Sequence, residues 1–191
     1  IELDDKVLAE GEPKDFNVPV DDPGRASRVF KMYTIGGLME KEFPEPKWAI
    51  AGLISEGLNL LAGKPKQGKS MMALNLAITI AAGGKALGDI QTVPGDVLYI
   101  SLEYKARRVK ARAMKMMKKL GNMEAARRLT IATEWPRQDH GGLAMIDHWF
   151  KIVARPMLII IDVWGMFKTP YKQGGSQYEQ DGTQLGAVKR F

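Results

Sequence analysis

Residues 63–70 read Gly63-Lys64-Pro65-Lys66-Gln67-Gly68-Lys69-Ser70, a glycine, four residues, then Gly-Lys-Ser. That spacing suits a loop whose backbone amides curl around phosphates, whose lysine reaches the outer phosphates and whose hydroxyl can meet Mg²⁺. Gly63, Lys64, Pro65, Lys66, Gln67, Gly68, Lys69, Ser70 and Met71 are therefore the candidate cofactor-binding stretch. Two acids extend the set. Asp162 closes the apolar run Met157 to Ile161, where a carboxylate could hold Mg²⁺ through its water or through Ser70. Glu103 follows the apolar run Val97 to Leu102 and could orient or deprotonate an attacking water. As an acid near the start of a helix it would also be favoured by the helix dipole, and the two roles are compatible.

These residues need a scaffold that brings strand ends and a helix start together. Leu58 to Ala62 reads as a short buried strand running into the loop, and Ser70 to Ala82 as a helix apolar around most of its circumference, stopped by Gly83-Gly84. Asp96 to Leu102 and Met157 to Ile161 have the nearly continuous apolar character of central parallel strands. Leu129 to Ala132 is a third short strand after the loop, Lys105 to Leu120 and Leu143 to Val153 are helices, and Tyr178 to Phe191 begins another. Strands alternating with helices predict an α/β fold, a mostly parallel sheet with helices on both faces. No strand follows the last helix, so the sheet is expected to be truncated at its C-terminal end.

The helix from Lys105 predicts Val109, Ala113, Met116 and Leu120 on its buried side. Its other side carries Arg108, Arg112, Lys115 and Lys119, with no acid between Tyr104 and Leu120: either a solvated face or a contact to DNA or another subunit. Lys168 and Lys172, in the polar loop after Asp162, are the stronger candidates for touching a nucleic acid strand. Met71, Met72, Met114, Met116 and Met117 fall at helical positions and are expected to fill the core. His140 and His148 have no partner acid at metal-ligand spacing and are expected at the surface or in packing.

Composition bounds the rest. The 191 residues are enough for one domain and a modest extension, and the absence of cysteine excludes disulfides, thiolate metal sites and cysteine nucleophiles. The cysteine count and the acidic opening, which lacks a signal-peptide pattern, fit a cytoplasmic protein. The longest apolar run, Met71 to Ala82, falls short of the ~20 residues of a bilayer span, so no membrane partner is expected. The first 22 residues hold eight acids against two lysines, a net charge of −6, leaving +12 on the remainder of a chain whose total is +6. A basic body attracts polyanions, or simply stays soluble. Residues 1–42 read as an acidic, partly flexible leader, the first 30 or so having few large apolar residues and no sustained period, and 43–191 as the core.

Taken in order, Phe43-Pro44-Glu45-Pro46-Lys47-Trp48, the segment Gly57 to Ser70, Val97-Leu98-Tyr99-Ile100-Ser101-Leu102-Glu103, Gly141-Gly142-Leu143, and the Asp162 strand followed by Tyr178 and Asp181 resemble the RecA-like ATPases of plasmid and phage origin, typified by RepA-like hexameric replicative helicases. The resemblance covers about 43–191. It implies a RecA-type core, ATP bound between subunits of a homo-oligomeric ring, Lys69 and Ser70 on phosphates and Mg²⁺, Asp162 as the Walker B acid, Glu103 as the catalytic carboxylate, and translocation or unwinding on single-stranded DNA. Tyr104 departs from the family, which usually has Asp there. The family's γ-phosphate sensor and arginine finger would lie beyond residue 191, so these residues alone are expected to hydrolyse ATP weakly. Lys64 also invites comparison with partition ATPases, which carry a lysine after the first glycine; Pro65 and Lys66 stand where that class has glycines. An ATP-dependent recombination or partition protein that assembles on DNA without unwinding is the alternative reading.

Overall fold

The computed structural model describes residues 15–20, 28–121, 123–172, 174–189 and 191. The chain divides into two units, Ile1–Glu45 and Pro46–Phe191. In the first, β1 (Asp15–Val20) and β2 (Arg28–Tyr33) pair antiparallel from Asp15↔Tyr33 to Val20↔Arg28. A short helix α1 (Ile35–Met39) follows, its N-terminus capped by the Thr34 hydroxyl accepting from Gly37 N–H at 3.1 Å. The segment read as a partly flexible leader thus contains a six-residue ladder. Apolar residues do alternate in Phe16, Val18 and Val20, but the run is short and holds a proline. Residues 1–14 and 21–27 of the predicted leader lie outside the described residues.

The second unit is α/β. Its central sheet has three parallel strands in the order β8 (Leu129–Ala132), β7 (Asp96–Ser101), β9 (Pro156–Asp162). Alternation along β7 assigns its two faces. Val97 and Tyr99 join one core with Ala73, Leu74, Ala77, Ile78, Ile80 and Ala81 of α2 (Lys69–Ala82) and with Ala113 and Met117 of α3 (Ala106–Leu120). Leu98 and Ile100 join a second core with Ile146 and Trp149 of α5 (Gly142–Ile152) and Phe167 of α6 (Trp164–Phe167). On β9, Leu158 and Ile160 pack toward the first core, Ile159 and Ile161 toward the second. Phe167 is fully buried. Phe167→Ala is therefore expected to cost roughly 3–5 kcal/mol of unfolding free energy, seen as a lower denaturant midpoint with an unchanged slope.

Short elements fill in the remainder: antiparallel hairpins β3 (Trp48–Ile50) with β4 (Ile54–Ser55) and β5 (Lys85–Ala86) with β6 (Ile90–Gln91), a helical turn α4 (Ala125–Arg128), and α7 (Gln177–Val188). Helix α2 ends where expected, because Gly83 takes a left-handed conformation and Gly83 and Gly84 N–H close back onto Ile80 and Thr79 carbonyls.

The structure departs from the sequence reading in three places. Leu58 to Ala62 is not a strand; it is irregular and exposed, with Leu60 69% accessible. A strand needs a neighbour to take its backbone hydrogen bonds, and among the described residues none lies beside it. The buried ridge of α3 runs Val109, Ala113, Met117, a spacing of four throughout, with Met116 at its margin and Leu120 exposed. Of the methionines expected in the core, Met71, Met72 and Met114 are exposed.

Candidate functional site

The ends of β7 and β9 and the start of α2 converge. The register pairs Ser101 with Asp162, and Leu102 N–H continues the ladder one step further by donating to the Asp162 carbonyl at 2.7 Å. Period two puts Tyr99, Ser101 and Asp162 toward the face that α2 covers. From the other direction, the loop delivers Ser70 into the first turn of that helix. The two meet: Ser70 Oγ donates to Asp162 Oδ1 at 3.0 Å, across 92 residues of sequence.

The loop folds on itself by a side-chain clasp. Lys64 N–H donates to Gln67 Oε1 at 2.9 Å, and Lys69 Nζ donates to the carbonyls of Gly63 at 2.7 Å and Lys64 at 2.8 Å. The lysine that leads α2 thereby bridges back to the loop's entrance. Gly68, at φ +83°, turns the chain into the helix in a conformation that a side chain would strain. Lys66 takes φ +64° without being glycine. The loop from Gly63 to Gly68 is exposed, with Lys69 and Ser70 half-buried and Met71 exposed at the helix start. The amides at the start of α2 and the helix dipole favour an anion in this place.

Asp162 is gripped on its second oxygen as well. Tyr99 Oη donates to Asp162 Oδ2 at 2.6 Å and lies 3.3 Å from the Ser70 carbonyl. Burial first, and the hydrogen-bonded carboxylate second, push the Tyr99 phenol far above its ordinary value, so it remains a proton donor. The Asp162–Val163 peptide is cis.

Glu103 lies just past the end of β7, exposed, and among the described residues its carboxylate has no hydrogen-bond partner. The next residue, Tyr104, is flanked by two guanidinium groups, Arg108 at 4.6 Å and Arg112 at 4.4 Å from the ring centre. Two charges of the basic side of α3 are thus engaged on an aromatic ring. Tyr99, Tyr104 and the Gln67 clasp were not legible as site features. A phenol among the apolar residues of Val97 to Leu102, where Ser101 is the other hydroxyl, was the one available signal for Tyr99.

The two candidate strand-contacting lysines are placed differently. Lys172 is exposed, its backbone N–H held by Gln180 Oε1 at 2.8 Å. Lys168 is drawn inward, hydrogen-bonded to Tyr171 and paired with Asp181 at 3.1 Å, with 18% of its side chain accessible. Tyr171 Oη also donates to Asp181 at 2.7 Å. The hydrogen bonds from Tyr171 and Lys168 hold the Asp181 carboxyl below its ordinary value of 3.8, and those to Tyr171 and Asp181 raise the Lys168 amine above 10.5. A lowered acid stabilises the fold above its unfolded value and loses that contribution as pH falls through the folded one; a raised base loses its contribution as pH rises through the folded one. The seating of α7 through this pair should therefore persist between those limits and weaken below about pH 3.8 and above 10.5. Amide exchange of α7 measured against pH checks this. His140 and His148 are exposed.

A family model described as an AAA domain matches residues 25–171. The chain belongs to that family. Family membership makes this AAA domain a P-loop nucleotide-binding unit of the ATPase kind, in agreement with the α/β fold and with the loop between 63 and 70. No curated protein and no solved structure matches the chain. Among the described residues of the AAA domain no helix is long and apolar enough to cross a membrane, and no cluster of three or more His, Cys, Asp or Glu forms a metal cage. The oxygen pair Ser70–Asp162 nonetheless suits Mg²⁺, a hard cation held by one or two protein oxygens together with phosphates and water.

Proposed function

We propose that this chain is the Mg²⁺-ATP-binding and hydrolysing motor domain of a RepA-like replicative helicase working on single-stranded DNA as a homo-oligomeric, hexameric ring. The observation that carries the nucleotide half of this reading is the 3.0 Å contact joining Ser70 to Asp162, which couples the phosphate loop to the end of β9. The helicase half rests on the order of sequence elements that resemble that family and on the basic charge of the chain beyond residue 22.

In this reading the amides of the loop bind the phosphates and Lys69 neutralises the outer ones, with Gln67 keeping the loop curled. Ser70 and Asp162 would hold Mg²⁺, which when bound would screen the phosphate charge. Glu103, exposed at the strand end, orients the attacking water and accepts its proton. Catalysis is by positioning and charge neutralisation, without a covalent intermediate on the protein. Lys172 contacts the DNA backbone directly; Lys168 does so only where Asp181 releases it.

Strand displacement by the protein, with ATP turnover followed in parallel with and without single-stranded DNA, tests the proposal. Displacement with DNA-stimulated turnover is expected. Nucleotide-dependent assembly on DNA with no displacement would replace the helicase by a recombination or partition protein.

A further inference from the structure

Asp162 offers two carboxylate oxygens, and the structure gives each a different donor. Oδ1 receives the Ser70 hydroxyl at 3.0 Å; Oδ2 receives the Tyr99 phenol at 2.6 Å. Tyr99 is 2% accessible and stands on the central strand, one step diagonally from Asp162, because its own register partner is Ile160. Its oxygen also lies 3.3 Å from the Ser70 carbonyl, so a single phenol adjoins both residues that would hold the cation. A phenol carries one proton, and the shorter, charge-assisted bond to the carboxylate takes it.

We infer that Tyr99 is a positioning residue that assigns the two oxygens of Asp162, keeping Oδ1 turned to Ser70 and thereby setting how much Mg²⁺ the nucleotide site needs. The inference rests on the nucleotide half of the proposed function. Without the phenol proton, Oδ2 is left unpaired in a partly buried place, and the carboxylate regains rotation about its terminal bond. Ser70 then faces an acid of variable orientation. Partners that orient a metal's ligands typically carry 10–100-fold in metal affinity. The loop and Lys69 have no contact with the phenol, and at the helix start it adjoins only the Ser70 carbonyl, so phosphate binding without metal is preserved.

The test is Tyr99→Phe, which keeps the ring and removes only the hydroxyl, in the whole chain. A fluorescent ribose-labelled ATP is titrated with EDTA present and then across a range of Mg²⁺ concentrations. The variant is expected to bind nucleotide within about 2-fold of wild type without metal and to need roughly 10-fold more Mg²⁺ for half-maximal tightening. A merely structural tyrosine would leave the Mg²⁺ midpoint unmoved in a folded variant, and that result overturns the inference. With Asp162→Ala as background, where the Mg²⁺-dependent tightening is expected to be lost, adding Tyr99→Phe should leave the nucleotide affinity at every Mg²⁺ concentration unchanged, because the coupled partner is gone. Should Tyr99→Phe alone unfold while the Asp162→Ala/Tyr99→Phe pair folds, the unmatched carboxylate is the cause and the inference stands; unfolding of both assigns the hydroxyl to the core and removes it. Wild-type binding indifferent to Mg²⁺ would overturn the functional reading as well, whereas a Mg²⁺-dependent wild type with an unshifted variant overturns the tyrosine's role alone.

Discussion

Lys69→Ala is expected to weaken ATP binding by roughly 100-fold, the equivalent of two charge-assisted hydrogen bonds at ~1.5 kcal/mol each. The lysine opens α2 from directly beneath the loop, and its ammonium already spans to the carbonyls of Gly63 and Lys64 at 2.7 and 2.8 Å. It is therefore a cation that straps the start of α2 to the loop's entrance. Alanine removes the charge and the strap together while remaining a good helix former, so α2 should persist. Lys64→Ala supplies the control. That side chain is exposed in the same loop and its backbone, not its ammonium, makes the clasp to Gln67, so binding should change by less than about 3-fold, as for an exposed charge. Calorimetric titration with ATP separates the two variants, and equal affinities would contradict the role given to Lys69.

Glu103→Gln should do the opposite: leave ATP binding nearly intact and lower turnover by roughly 10²–10⁴-fold, the range for removing a general base. Glutamine has the same length and still offers an acceptor, but it cannot take a proton. Glu103 sits two residues past Ser101, the register partner of Asp162, and among the described residues its exposed carboxylate has no hydrogen-bond partner that the substitution would break. If its role were only to favour the start of α3, the substitution would cost about 0.3–1 kcal/mol of stability and leave the rate alone. Single-turnover kinetics at saturating ATP, with binding measured separately, distinguish these outcomes. A retained rate means that another group activates the water.

The loop, Asp162 and the order of helices and strands were legible because each rests on local chemistry: glycines where the chain must turn, an acid closing an apolar run, apolar spacing of three and four. Helix α2 and strands β7 and β9 were placed to within one or two residues for that reason. Leu58 to Ala62 was misread because apolar composition resembles a buried strand whether or not a neighbour exists to pair with it. The β1–β2 ladder escaped notice because six residues with a proline are too few to establish a period. What stayed hidden in the site were the contacts between distant segments. Tyr99 meets Asp162 across 63 residues, and its role emerges only once the register sets Tyr99 opposite Ile160 and one diagonal step from the acid. Lys168 looked like an available cation because Asp181, which binds it, lies 13 residues on and in a different element.

In the proposed function, the phosphate loop and the Ser70–Asp162 pair form a single Mg²⁺-nucleotide site. Calorimetric titration of ATP into the wild-type chain, once with Mg²⁺ and once with EDTA, addresses it directly. Binding is expected in both, tighter with Mg²⁺ by at least about tenfold, with that difference lost in Asp162→Ala. The same affinity with and without Mg²⁺, or no ATP binding at all, would contradict it.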